Sequence, residues 1–423
     1  MVIYLFTYIS VVLFWVIIDI KHGSRHVSPV NLLLRLVLYF SFVPLIFLII
    51  FRYQLQFLSF DYVVLLDDIN LNNYLVAYTM YAIWGLLMYL FTNSGRFYLL
   101  DKGTSKRKNI EKIVLVLLFF SLSLLFFSGA VSDTIENILE NPLIYLLRRE
   151  ALSGLSPLFS TIVAFIITIL IPVFSIYLVI YGRKKWIFAI ITLPFSFMTF
   201  QKAPGFAIVF SFILRIIYSV KNKSNRYITL FLGLAFISCL YSFVSYQEFR
   251  GNIDFLSNLL ITPLKIFARI AFTHHVSNIS FFDYQGVYGF IGVNSDRFLS
   301  LILQQNFYSY PDLVFDISKA VYGQAWSNNA GFIGASFLMG GFGIIFLNLI
   351  IYTLVFWGFI IGLKLIDSKE IEKLITIYFV YITPAFVGTN MATVLFFYKV
   401  AYLGVFIFGV GMLMSILRAV SAK

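Results

Sequence analysis

The chain has 423 residues, of which 61% are hydrophobic and 12% are charged, and its mean hydropathy is +0.92. A soluble domain carries roughly twice that charged fraction, so the composition argues against a soluble protein and indicates one integral membrane domain. The net charge of +12 would suit a nucleic-acid-binding protein, but the basic residues follow the pattern of membrane topology. Nucleic acid is therefore not an expected partner.

Eleven apolar segments of roughly 15–25 residues follow one another, the length that crosses about 30 Å of hydrocarbon at 1.5 Å per residue. We place them near residues 2–20, 32–51, 72–92, 112–131, 156–181, 187–200, 204–220, 227–246, 333–363, 374–396 and 400–417. The sixth and seventh segments are short, and Gln201–Gly205 joins them, which predicts a tight helical hairpin. The predicted fold is an all-α polytopic membrane protein with about 11 (10–12) transmembrane helices.

The charge of successive loops sets the predicted orientation. The loops of one side, with the adjoining helix ends, hold 21 of the 31 basic residues but only 6 of the 19 acidic residues. The positive-inside rule makes that side cytoplasmic, so the N-terminus and the long polar break at residues 247–331 lie outside. The first segment has neither a basic leader nor a small-residue cleavage site, so we interpret it as a retained span.

These assignments divide the chain into three parts. Residues 1–246 form an N-terminal bundle of about eight spans, residues 247–331 form one large extracytoplasmic loop, and residues 332–423 form a C-terminal bundle of about three spans. A polytopic protein that places its one large polar loop on one side of the bilayer is expected to carry its chemistry there.

Two candidate sites precede the large loop. Arg148 and Arg149 form a basic pair in the outer loop 132–155, against the positive-inside bias, and belong either to a solvated surface or to a functional site. Lys202 lies at the hairpin tip, where a lysine either snorkels to the interface or meets phosphate. Pro204-Gly205 would open the next helix, whose backbone N–H groups could help to hold an anion.

Glu248 and Arg250 stand at the start of the large loop, in the sequence Glu-Phe-Arg-Gly. One interpretation is an interfacial ion pair that contributes under about 1 kcal/mol. The other is a guanidinium group that binds a diphosphate, because arginine suits bidentate phosphate contacts. The residues alone do not decide between the two.

The pattern of residues 257–275 predicts an amphipathic helix that lies in the plane of the membrane interface. Lys265 and Arg269 are four residues apart and share a face, which either attracts anionic lipid or clamps a lipid-linked phosphate. His274 and His275 follow. Adjacent histidines do not share a helical face and make a poor metal pair, so we consider one of them a candidate proton acceptor.

The last candidates lie where the loop enters a glycine-rich span. Asn328 and Asn329 could orient sugar hydroxyls, whereas the glycines that follow allow close helix packing. Aromatic residues also crowd the loop and would serve equally as an interfacial belt or as sugar-stacking platforms. These aromatic residues are Phe281, Phe282, Tyr284, Tyr288, Phe290, Phe307, Tyr308, Tyr310 and Trp326.

The sequence contains no further catalytic signature: no phosphate-cradling glycine loop with its lysine, no Gly-x-Ser-x-Gly elbow, no His-Glu-x-x-His and no acidic metal motif. Cys239 is the single cysteine, so an internal disulfide is impossible, and no Cys/His spacing suggests zinc. We therefore expect neither a metal nor another cofactor.

In its architecture and in three short segments the chain resembles bacterial O-antigen polymerases of the Wzy family. The first segment is Lys202-Ala-Pro-Gly205 in the short hairpin. The second is Arg269-Ile-Ala-Phe-Thr, which runs on to Asn278 and Phe281-Phe282-Asp283-Tyr284. The third is Asn329-Ala-Gly-Phe-Ile-Gly-Ala, which is similar to the family's Asn-x-Gly-Phe-x-Gly/Ala segment before a glycine-rich span.

The resemblance implies a glycosyltransferase of the bacterial inner membrane that joins undecaprenyl-diphosphate-linked oligosaccharide repeat units at the periplasmic face. Cations would neutralise the leaving diphosphate, and a base would deprotonate the acceptor hydroxyl. Membrane lipids and a chain-length regulator protein are the further partners that the family suggests. The residues expected to act are Arg250, Arg269, Glu248, His274 and His275 in catalysis, and Lys202, Arg148, Arg149, Lys265, Asp283, Asn328 and Asn329 in substrate binding.

Two other functions fit parts of the same pattern. An O-antigen ligase shares the many spans, the large outer loop and the donor, but transfers the glycan to lipid A core. A lipid-linked oligosaccharide flippase is a transporter, which should carry charged residues inside its spans along a central path. The middle of each predicted span is nearly free of charge, which favours an enzyme over a transporter.

Overall fold

A computed structural model describes residues 2–22, 28–50, 68–92, 107–132, 135–136, 157–182, 187–197, 202–219, 235, 272–292, 310–322, 331–389, 391 and 393–421. Every regular element in these ranges is helical, and none of them contains a strand. Eight of the described helices are long and apolar enough to cross a membrane. The chain is thus an all-α, multi-pass membrane protein.

Twelve helices are named here in chain order, with the shorter turns that interrupt them. They are α1 (Val2–His22), α2 (Pro29–Ile50), α3 (Asp68–Thr92), α4 (Arg107–Phe127), α5 (Pro157–Phe165 continued by Ile171–Tyr181), α6 (Ile187–Thr192), α7 (Lys202–Ser219), α8 (Thr273–Tyr288), α9 (Tyr310–Tyr322), α10 (Phe332–Ile366), α11 (Lys369–Gly388) and α12 (Val400–Ser421). The predicted eighth span, at 227–246, lies outside the described residues apart from Ala235.

The chain divides into two compact units, and the first of them is discontinuous in sequence. The first unit joins Met1–Leu99 to Phe267–Lys423, and the second is Leu100–Ile266. The described candidate site residues on α8 belong to the first unit, whereas the helix that starts at Lys202 belongs to the second.

Two spans contain a wide π turn for the same reason. In α2 the π turn Leu38–Phe42 ends two residues before Pro44, and in α5 the π turn Ile166–Leu170 ends two residues before Pro172. A proline ring lacks an N–H donor and clashes with the carbonyl four residues earlier. The wider turn accommodates that defect and leaves α2 able to accept hydrogen bonds from its neighbours at this level.

The helix α10 reverses direction, which the predicted span at 333–363 did not anticipate. Asn348 Nδ2 donates to Ser336 Oγ over 2.6 Å, and the rings of Phe332 and Tyr352 lie 5.3 Å apart. In a straight helix these two pairs would be about 18 and 30 Å apart. The contacts therefore define an antiparallel hairpin, with a short limb at residues 332–339 and a long limb at residues 342–366.

Two glycines make the reversal possible. Gly340 and Gly341 have non-helical backbone angles, and Gly341 has a φ of 69°, which favours glycine. The break frees the Leu338 carbonyl, and the Ile291 N–H, just beyond α8, donates to it over 3.1 Å. The long limb alone, at about 37 Å, is long enough to span the membrane.

The helix α8 packs beside the short limb and runs parallel to it. Asn278 contacts Gly334, and further along both helices Phe282 stacks on Phe337 with ring centroids 3.9 Å apart. The helix α9 covers this pair through a hydrophobic cluster. The cluster consists of Phe281, Leu313, Val314, Ile317, Ala335, Leu338 and Met339.

This packing buries part of the large loop inside the first unit. The loop was expected to hold an interfacial helix at 257–275, but residues 257–271 lie outside the described ranges. The described part of the loop, from Phe272 onward, contains α8 and α9, and the first ten residues of α8 are buried wherever their side chains are described. A polar composition in this segment reflects internal hydrogen bonds as well as contact with water.

Glycines also set the packing of the last spans. Gly358 and Gly362 form a small-xxx-small step on the long limb of α10 and face Gly404 and Gly411 of α12. A Cβ added at Gly362 would lie 2.7 Å from backbone atoms of Ile407. Near the end of α12, Arg418 donates from Nη1 and Nη2 to the last two carbonyls of α10, at 3.1 and 3.0 Å.

The second unit contains the predicted short hairpin. Its first arm was expected at 187–200, but α6 is only six residues long, and Pro194 starts a 3-10 turn (Pro194–Phe197) after it. The second arm, α7, begins at Lys202, so Pro204 occupies its first turn, where a missing N–H costs little. Arg215 of α7 donates to the carbonyls of Val179 and Gly182 and thereby caps α5.

Candidate functional site

The structure describes only part of the predicted site. The residues that lie outside the described ranges are Arg148, Arg149, Glu248, Arg250, Lys265, Arg269, Asn328 and Asn329. For Lys202 the backbone is described and the side chain is not. The remaining three, His274, His275 and Asp283, all lie on α8.

The two histidines lie at the start of α8 and meet the π turn of α2. His275 Nε2 is 2.8 Å from the Ser41 carbonyl oxygen, and His274 Nε2 is 3.2 Å from Ser41 Oγ. Tyr74 of α3 completes the group, with its hydroxyl 2.7 Å from His275 Nδ1. Although the rings were not expected to share a helical face, their centroids are 4.0 Å apart, because both rings turn toward Ser41.

The partners of His275 fix its tautomer. A carbonyl oxygen only accepts, so Nε2 must carry the hydrogen and donate it to Ser41; Nδ1 then accepts from the Tyr74 hydroxyl. Complete burial, followed by the proximity of His274, lowers the pKa of His275 well below its usual value. His275 is therefore neutral in the folded protein, with both ring nitrogens engaged by Ser41 and Tyr74. His274 is also buried, with 6% of its surface exposed.

Asn278 joins three elements one turn further along α8. Its Nδ2 donates to the Tyr78 hydroxyl over 3.1 Å, and its Oδ1 accepts from the Gly334 N–H over 2.8 Å. A Cβ at Gly334 would lie 2.7 Å from Asn278 Oδ1, and a Cβ at Gly331 would lie 2.3 Å from the Val387 carbonyl. Both glycines are thus required for the close approach of the short limb to α8 and α11.

Asp283 lies at the opposite end of α8 from the histidines. Asn70 Nδ2, near the start of α3, donates to Asp283 Oδ1 over 2.8 Å. The order of contacts, with Tyr78 beside Asn278 and Asn70 beside Asp283, shows that α8 runs antiparallel to α3. About eight residues, or 12 Å, separate His275 from Asp283 along the helix, so the two belong to different parts of the site.

A second buried polar cluster was not singled out from the sequence. Asp19 of α1 and Arg35 of α2 form an ion pair, in which Arg35 Nε lies 2.6 Å from Asp19 Oδ1. The angle at Nε is not that of a hydrogen bond. Tyr89 and Tyr39 donate to the two oxygens of Asp19, over 2.6 and 2.9 Å. Opposite charges in consecutive spans, each within a few turns of the same loop, are the signal that would have identified this pair.

The state of His275 predicts that the protein loses stability in mild acid. Its neutral form is favoured by folding, so the stabilisation is complete above about pH 6.5 and falls by roughly 1.4 kcal/mol per pH unit as the pH drops toward the lowered pKa. Thermal unfolding in detergent at pH 7.5 and 5.0 measures this. We expect the difference between the two midpoints to shrink in His275→Gln.

The control for this prediction is His26→Gln, which removes a histidine distant in sequence from α8. That variant should keep the full acid sensitivity of the wild type. An unchanged pH difference in His275→Gln would show that other groups set the acid response.

The comparisons with known proteins add no family. No protein-family model matches the chain, and no curated protein or solved structure matches it.

Proposed function

We propose that the protein is a membrane glycosyltransferase that polymerises undecaprenyl-diphosphate-linked oligosaccharide repeat units into O-antigen or capsular polysaccharide. The main support is the contact between Asn278 and Gly334. These residues belong to two of the three segments that resemble O-antigen polymerases, 56 positions apart in the chain, and they meet at one hydrogen bond inside the first unit.

The placement of this contact agrees with chemistry outside the cytoplasm. The helix α8 packs on the first half of α3, between Asn70 and Tyr78, whereas Tyr89 at the other end joins the Asp19–Arg35 pair. The positive-inside rule assigns the end of α3 that carries Tyr89 to the cytoplasm. The α8 segment would then lie in the periplasmic half of the inner membrane.

The proposed reaction forms one glycosidic bond and breaks one. The acceptor hydroxyl oxygen of the next repeat unit attacks the anomeric carbon of the growing glycan, the bond to diphosphate breaks, and undecaprenyl diphosphate leaves with the electron pair. His274 or Glu248 takes the hydroxyl proton. Arg250 and Arg269 stabilise the leaving diphosphate, and the energy comes from the glycosyl–diphosphate bond.

The remaining sequence candidates would bind the two substrates. Lys202, Lys265, Arg148 and Arg149 would neutralise the lipid diphosphates. Asn328, Asn329 and Asp283 would orient sugar hydroxyls. His275, another of the catalytic candidates from the sequence, lies at the start of α8 and contacts Ser41 and Tyr74.

The distribution of charge favours an enzyme over a flippase. In the eight candidate spans every described charged residue lies within about two turns of a helix end, so these spans contain no central charged path of the kind that a transporter uses. An O-antigen ligase would share the donor and the architecture of a polymerase, so the product of the reaction distinguishes the two enzymes.

The surface glycan of a deletion strain tests the proposal. On a gel, loss of the polymerase leaves a single repeat unit on lipid A core, whereas loss of a ligase removes all attachment. In the complemented strain we expect Arg250→Lys and Arg269→Lys to abolish long chains while the proteins insert normally. Arg297→Lys, in the same predicted loop but outside the three segments, should support normal polymer. Full chain extension by both Arg250→Lys and Arg269→Lys would refute the diphosphate role.

A further inference from the structure

We propose that Tyr284 and Tyr288 of α8, with Asp316 and Lys319 of α9, form an oligosaccharide-binding platform. The inference deepens the proposed function, on which it rests for the identity of the glycan. It assigns the sugar portion of the substrate to residues other than the cations that would meet the diphosphate.

The aromatic part of the platform is a pair of tyrosines on the last turn of α8. Tyr284 and Tyr288 are four residues apart, and their ring centroids are 4.4 Å apart at an interplanar angle of 31°. Tyr288 is 60% exposed, so the outer face of the pair is open. The helix ends directly after it at Gly289, whose φ of 79° turns the chain away.

The polar part of the platform comes from α9. This helix buries Leu313, Val314 and Ile317 against α8 and the short limb, and it exposes Asp316 and Lys319 on its other face. Tyr284 packs against the hydrophobic cluster to which Leu313, Val314 and Ile317 of α9 belong, on the helix that also carries Asp316 and Lys319. Burial, and secondly the Asp316 carboxylate, raises the pKa of Tyr284. The helix α9 therefore brings charged groups to the edge of the tyrosine pair.

The charged edge distinguishes this surface from a lipid-facing aromatic belt. Exposed acidic and basic groups are costly in hydrocarbon, so the face that carries Asp316 and Lys319 lies in water or among headgroups. By contrast Phe406, 64% exposed on the candidate span α12, has the apolar residues Val405 and Leu413 as exposed neighbours, at 73% and 57%. The Tyr284–Tyr288 pair is accordingly available to a water-soluble ligand.

A sugar ring fits these groups better than other ligand classes. A pyranose has an apolar C–H face that stacks on aromatic rings and a rim of hydroxyls that hydrogen-bond to carboxylate and ammonium groups. A free phosphate or diphosphate is disfavoured, because the described helices α8 and α9 carry three acidic residues, Asp283, Asp312 and Asp316, against one lysine, Lys319. The ligand is a neutral or amino-sugar-containing oligosaccharide.

The position of the platform predicts which kinetic constant it affects. Tyr288 is 14 positions after His274 on one helix, or about 21 Å along its axis. A group this far from the candidate base holds sugars that are remote from the reacting bond. Its loss should raise KM for the repeat unit more than it lowers kcat.

The test uses the full-length protein in nanodiscs and oligosaccharides released by mild acid hydrolysis of the source strain's own surface polysaccharide. Isothermal titration and saturation-transfer NMR measure binding. We expect Tyr288→Ala and Asp316→Asn each to weaken affinity by about tenfold with unchanged thermal midpoints, since both side chains are exposed. Phe406→Ala, which removes an exposed aromatic ring among apolar neighbours on α12, should bind as the wild type does.

The outcomes separate this inference from the proposed function. Unchanged affinity in folded Tyr288→Ala and Asp316→Asn proteins, or no oligosaccharide binding by the wild type, overturns the platform. A deletion strain with normal surface polysaccharide refutes the polymerase and leaves the binding result standing. Polymer formation together with the tenfold losses supports both.

Discussion

Replacing Asp19 with alanine is expected to destabilise the first unit by about 3–5 kcal/mol, because it leaves the Arg35 guanidinium buried without its counter-charge. The two side chains are only 10% and 11% exposed. The substitution also removes the acceptor for the hydroxyls of Tyr39 and Tyr89. The thermal midpoint in detergent and the yield of monodisperse protein measure the effect.

Two further variants make the result specific to the ion pair. Lys21→Ala removes a charge two positions away on the same helix, where the side chain is exposed, and should change stability by under about 0.5 kcal/mol. The double variant Asp19→Leu/Arg35→Met removes both charges and should recover much of the loss, since an apolar pair avoids the desolvation of two ions. Equal effects of Asp19→Ala and Lys21→Ala would contradict this account.

Substitution of Gly334 with alanine is expected to cost about 1–3 kcal/mol and to abolish polymer formation. The new Cβ would lie 2.7 Å from Asn278 Oδ1 and 3.0 Å from Asn278 Cα. The second of these atoms is in the backbone of α8 and cannot rotate away, so the short limb must separate from α8. That movement breaks the Asn278 bond and the stacking of Phe282 on Phe337.

Gly343→Ala provides the matched control in the same helix. A Cβ at Gly343 meets no atom within 4 Å, and alanine favours the helical long limb by roughly 1 kcal/mol over glycine. We expect wild-type activity and equal or higher stability. If Gly334→Ala also retained both stability and activity, the close approach of the short limb would not matter for function.

The membrane-spanning part of the fold could be predicted from the sequence. The apolar runs near 2–20 and 400–417 correspond to Val2–His22 and Val400–Ser421, because a bilayer demands about 20 apolar residues whatever the neighbouring helices do. The reversal of α10 could not be predicted. A long apolar run has the same composition whether it is straight or folded on itself, and Gly340 and Gly341 fit helix packing equally well.

The site was predictable in its residue types but not in its partners. Asp283, His274 and His275 stood out as polar residues near membrane segments. Their burial depends on Ser41 and Tyr74, which belong to spans more than 200 positions earlier in the chain. Only tertiary contact shows that both ring nitrogens of His275 are engaged, by the Ser41 carbonyl and the Tyr74 hydroxyl.

The divided sequence of the first unit has a consequence for biogenesis. Residues 1–99 leave the ribosome long before residues 267–423, which complete the same unit. The Asp19–Arg35 pair and its two tyrosines lie entirely on α1, α2 and α3, so these three helices can neutralise their own charges during translocon insertion. The Ser41 carbonyl and the Tyr74 hydroxyl gain their partner, His275, only after α8 has been synthesised. Chaperoning of nascent chains should therefore matter most between the synthesis of α3 and that of α8.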